Sequence, residues 1–82
     1  MDNTKVITLN KALKNTSYKL CGFKSETNLD LKKLYNVGLT DGTVIVPLYA
    51  SMVIGAVAYL IKGSVLGIRN KDAADIFVKK IL

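Results

Sequence analysis

The side chains able to do chemistry in this sequence are few and poorly spaced for it. There is no histidine, one cysteine (Cys21) and six carboxylates. Asp72 and Asp75 stand three apart and Glu26 and Asp30 four apart, so each pair can share a helical turn. Such pairs usually cap helices or stay solvated, and a metal site or acid–base couple needs further donors converging from elsewhere. A serine or Cys21 acting as nucleophile needs an adjacent base, and the usual base, histidine, is missing. Gly63-Ser64-Val65-Leu66-Gly67 has neither the lysine nor the following helix of a phosphate-cradling loop. The expectation is a protein that is not an enzyme, holds no cofactor or metal through recognisable ligands, and works through a surface.

The totals narrow that surface. A chain of 82 residues suits one small domain, burying about 60% of its unfolded surface. Half the residues are hydrophobic, enough for a core without disulfides. A lone cysteine makes no intrachain bridge and fits a reducing cytoplasm, where it serves most often as a small apolar residue. No secretory signal is expected, since Met1-Asp2-Asn3-Thr4 is polar and acidic and no apolar stretch follows. The net charge of +6 comes from eleven lysines and one arginine against six acids. That balance favours acidic partners or anionic surfaces. With one arginine, no tryptophan and few aromatics, base reading and stacking lack their usual side chains, so no nucleic-acid partner is expected.

The elements that position these groups follow from periodicity and turns. Residues 5–9 alternate weakly as a first strand, residues 10–16 form a turn with at most one helical turn, and residues 17–23 form a strand. In that strand Tyr18 and Leu20 share one face, Lys19 and Cys21 the other. Leu31, Leu34 and Tyr35 fall at helical spacing behind Asn28 as N-cap and Asp30 in the first turn. Gly38 is placed for the left-handed stop, with Leu39 folding back onto the helix. Asp41-Gly42 is a turn pair feeding a β-branched strand.

Residues 43–61 carry no charge and are long enough to cross a bilayer as a helix. Pro47, Gly55 and the flanking Asp41-Gly42 and Lys62-Gly63 turns favour two strands instead, 43–49 and 56–61. Lys62-Gly63 turns the chain into a strand over 64–69. Asn70 then caps a short helix, 71–75, and a last strand over 76–81 pairs with the first. The sum is a mainly β fold, a small bent antiparallel barrel with one or two short inserted helices. Its expected core comprises Val44, Val46, Leu60, Leu66, Ile68, Val78, Leu31 and Leu34.

The string Leu34-Tyr35-Asn36-Val37-Gly38-Leu39-Thr40-Asp41-Gly42-Thr43 and its following strand resemble the core signature of the ferrous iron transport protein A (FeoA) family. Val65-Leu66-Gly67-Ile68-Arg69-Asn70-Lys71-Asp72-Ala73 resembles the second half of that signature. Leu9 and Leu13 match the two leucines that open it, while Asn15 stands where the family usually has glycine, a mild departure because Asn tolerates the left-handed region. The resemblance implies an SH3-like barrel and a partner, the large membrane GTPase-transporter FeoB. It also implies a family association with transition metal ions, for which this sequence offers no evident ligands. Related barrels form the C-terminal domains of metal-dependent repressors, so the alternative is a regulatory or peptide-binding module acting in trans.

Docking residues are sought where the family usually carries a polar loop. Met52, Val53 and Ile54 stand there, either tucked over the end of the barrel or forming an exposed apolar patch flanked by cations. The second arrangement suits a partner groove, a membrane surface or self-association as a homo-oligomer. The candidate partner-binding residues are Met52, Val53, Ile54, Lys62 and Arg69.

Overall fold

A computed structural model describes residues 5–24, 38–51 and 55–81. The expected helix over 29–37, its cap Asn28, the core candidates Leu31 and Leu34, and Met52, Val53 and Ile54 lie outside the described residues.

Six antiparallel strands make one sheet: β1 (Val6–Thr8), β2 (Tyr18–Phe23), β3 (Val44–Ser51), β4 (Ala56–Ile61), β5 (Ser64–Arg69) and β6 (Ile76–Lys80). A 3-10 turn, Leu9–Lys11, follows β1, and a four-residue helix, α1 (Asn70–Ala73), follows β5. The order across the sheet is β1-β6-β2-β3-β4-β5, with β6 holding β1 to β2. Within the uncharged stretch 43–61, Val44–Ser51 and Ala56–Ile61 thus pair as two strands, as their β-branched residues favour. No helix among the described residues is long and apolar enough to cross a membrane.

Turn chemistry sets the registers. Lys62 (φ 51°) and Gly63 (φ 79°) both lie in the left-handed region, the requirement of a two-residue type I′ hairpin, so Ile61 faces Ser64. At Asp41-Gly42, Thr43 donates its N–H to the Thr40 carbonyl at 3.1 Å, with Gly42 at φ 89°, a type II turn. Asn15 adopts φ 59°, and its N–H bonds the Pro47 carbonyl at 2.7 Å. Two bulges bend the sheet: Cys21 is the extra residue on β2 opposite β6, and Leu48 on β3 opposite β4. Pro47, which has no ladder N–H to give, sits at the second.

Leu9, Tyr18, Leu20, Leu39, Ile45, Tyr59, Ile61, Ile68, Ile76 and Val78 form the core with Ala73. Tyr18 is buried, and its hydroxyl accepts the Leu13 N–H at 2.8 Å, which ties the 12–17 loop to the sheet. Ile68 and Val78 are core as expected, and half-buried Leu66 packs against them; Val46, also half-buried, is not in the core, because it shares the outward face of Val44 two residues away. Val44 and Leu60 are not core: they are 47% and 39% exposed. Their neighbours Ile45, Tyr59 and Ile61 point inward instead. In strands reading Val-Ile-Val and Ala-Val-Ala-Tyr-Leu-Ile, both faces are apolar, so alternation cannot choose between them, and a one-residue error exchanges inside for outside.

Candidate docking surface

Lys62 is positioned by the β4–β5 hairpin and Arg69 by the far end of β5, so the structure does not bring these two expected docking cations together. Both are exposed. Lys62 reaches back and donates from Nζ to the Gly38 carbonyl at 2.7 Å. Gly38 lies at φ 101°, a backbone conformation that favours glycine, and Leu39 beside it is buried. The result is an open groove of about 210 Å³ between the 38–39 segment and the hairpin, lined by Gly38, Leu39, Ile61, Lys62, Ser64, Val65 and Leu66. Its walls are mostly apolar, with the Lys62 ammonium and Ser64 as the polar groups, so it suits an apolar side chain more than a polar substrate.

Arg69 donates through Nε to Asp72 Oδ2 at 2.9 Å. The Asp72 side chain is 8% exposed and that of Arg69 45%. The pair clamps β5 to α1: Arg69 is itself the residue preceding the helix, and Asp72 lies in its first turn. Asn70, expected as the cap, is instead the first helical residue, and the helix has no side-chain cap bond. The Asn70 N–H bonds the Gly55 carbonyl at 3.0 Å. Arg69 therefore has a structural duty that its position in the sequence did not reveal.

Among the described residues no three of His, Cys, Asp and Glu converge as a metal-binding group. Burial pushes the Tyr59 phenol up to about 12, which keeps it neutral in the core at physiological pH. Chemically the described surface can bind; it holds apolar ground and cations, and its one tight ion pair is internal.

The sheet's outer side is a feature the sequence reading passed over. Val6, Val44, Tyr49, Leu60 and Val65 are exposed apolar residues on the strands. The signal was available in the pairing of lysine-bearing and apolar strands, but it needs the register to be read.

Residues 7–80 match the FeoA domain. Among solved structures the chain is similar to a FeoA-like protein from Clostridium acetobutylicum, 28% identical over 96% of this chain and 91% of that one, with a TM-score of 0.82. An iron uptake regulatory protein (FeoA) is 21% identical over 94% of this chain and 99% of its own, with a TM-score of 0.77. A manganese-dependent transcriptional repressor superposes with a TM-score of 0.81 at 11% identity, covering 98% of this chain and 44% of the repressor. At those two lower identities the likeness is one of fold. A search of curated proteins finds no match. The architecture is the small SH3-like β domain shared by FeoA proteins and part of such repressors. With the family match spanning residues 7–80 and the fold in accord, this chain belongs to the FeoA domain family.

Proposed function

We propose that this chain is a cytoplasmic, non-enzymatic accessory protein of bacterial ferrous iron uptake, docking on the membrane GTPase-transporter FeoB and modulating it. The FeoA family match over residues 7–80 carries this reading. It is supported by a described surface that offers exposed apolar residues beside lysines on a chain of net charge +6. Modulation means differential affinity: an accessory domain that binds one state of a transporter more tightly shifts the population toward it. A net charge of +6 also favours residence near the negative cytoplasmic face of the membrane.

The test is a pull-down of the transporter's cytosolic GTPase domain by the full chain at low ionic strength. Retention that weakens with added salt is the expected result. Absence of contact at low salt overturns the reading.

The likeness to the manganese-dependent repressor favours a second reading, a regulator acting in trans. A gel-shift titration separates the two, because binding through phosphates falls steeply with salt.

A further inference from the structure

We propose that the outer face of the sheet, from β6 to β5, is a docking surface for an acidic amphipathic segment of another protein. The inference rests on the reading above that the chain works by docking, and it names the face and the chemistry of the segment.

Two registers place the cations. Lys19 on β2 lies directly opposite Lys79 on β6, and Lys19 also pairs with Val44 on β3. Like charges facing each other across an antiparallel pair are destabilising. Among the described residues neither lysine has an ion-pair partner. Two further registers place the apolar ground: Val46 faces Leu60, and Leu60 faces Val65. Val44 and Val46 are two apart on β3 and so share a face, which joins the lysine pair to the apolar row without a break. Val44, Leu60 and Val65 are 47%, 39% and 57% exposed.

The surface therefore runs Lys79, Lys19, Val44, Val46, Leu60, Val65 across five neighbouring strands, about 19 Å at the usual strand spacing. That length matches about 13 residues of helix. A segment with a stripe of apolar side chains and carboxylates at one end satisfies both halves at once. The carboxylates neutralise the lysine pair, and the apolar stripe covers the exposed valines and leucine. A second copy of this chain fits worse, since it brings one +6 surface onto another with no acid in the patch. An anionic membrane also fits worse, because the apolar residues of this row are short and branched, and Tyr49, the exposed aromatic of this side, lies off the row beyond the Leu48 bulge.

The test uses the isotope-labelled full chain and four probes. The first is a helical peptide of about 13 residues with leucines along one stripe and glutamates elsewhere. The second is the same peptide with lysines for glutamates, the third phosphatidylglycerol vesicles, and the fourth the GTPase domain of the transporter. The glutamate peptide is expected to shift the amide signals of Lys19, Val44, Leu60, Val65 and Lys79, and the lysine peptide to leave them unmoved. Lys79→Glu turns a repulsive pair into an attractive one, so it raises Tm by about 2–8 °C while weakening the glutamate peptide about tenfold.

Shifts elsewhere, no binding of the glutamate peptide, equal binding of both peptides, or preference for the vesicles each overturn the proposal. So does a Lys79→Glu variant that folds and binds the peptide unchanged. If the glutamate peptide maps to this face and the GTPase domain does not bind at all, the surface stands and the transporter reading fails. If the GTPase domain binds through another face, the transporter reading stands and this surface fails.

Discussion

Lys62 donates its ammonium to the carbonyl of Gly38 at 2.7 Å, joining the tip of the β4–β5 hairpin to the residue where the chain stops and turns toward β3. The bond is charge-assisted but exposed, so solvent competes for it. Both ends also occupy left-handed backbone, φ 51° at Lys62 and 101° at Gly38. One residue thus serves a turn and a tether.

Separating those two roles gives the first prediction. Lys62→Met loses the tether and keeps the poor turn residue, and is expected to cost about 0.5–1 kcal/mol. Lys62→Asn also loses the tether but suits positive φ, so its loss is smaller by a few tenths of a kcal/mol or more. Urea midpoints of the two variants check the ranking. If Lys62→Asn is the less stable, the turn has been misread, and a Lys62→Met midpoint equal to that of the native chain shows that the tether contributes nothing.

The exchange of faces on β3 makes a second prediction. Ile45 is fully buried and Val44 is 47% exposed. Ile45→Ala is expected to cost about 2–4 kcal/mol through lost burial and the cavity left behind. Val44→Thr is expected to change stability by no more than about 0.5 kcal/mol. Denaturant titration of the pair decides the register, since the reverse order of losses would place Val44 inside.

The third concerns alkaline pH. Burial pushes the Tyr59 phenol up to about 12, while in the unfolded chain it ionises near pH 10. Below about pH 10 both states keep the proton and this group leaves stability level; above it the unfolded state releases the proton first and stability falls. The fall is expected to reach about 2–3 kcal/mol by roughly pH 12. Lysines titrate in the same window, so the measurement is the difference between the native chain and Tyr59→Phe in urea melts from about 1 pH unit below the free phenol's pKa to about 2 above it. Parallel curves for the two proteins would remove Tyr59 as the cause.

Strand positions were legible in this sequence wherever a turn residue enforced them. Lys62-Gly63, Asp41-Gly42, Asn15 and Gly38 each hold the backbone the sequence assigns them, and β4 and β5 begin and end where expected. Face assignment was legible on β2, where Lys19 marks the outside and Tyr18 and Leu20 the inside. It failed on β3 and β4, where no charged residue marks either side and the bulge at Leu48 breaks the alternation. Of the candidate site, Lys62 and Arg69 are exposed as expected, yet each has an intramolecular partner that local sequence does not disclose. Opposition of Lys19 and Lys79 arises from a pairing between β2 and β6, distant in sequence, that no local pattern encodes.

The position of β6 has a consequence for how the molecule comes into being. Ile7 pairs with Val78 and Lys19 with Lys79, so β1 and one side of β2 have no ladder partner until residues 76–80 have been made. The β3–β4–β5 meander closes through local turns and can form early, whereas β1 and the free side of β2 must wait on a late, long-range event. Until β6 emerges, the nascent chain exposes unpaired backbone along β1 and one side of β2, and insertion of β6 between them seals both.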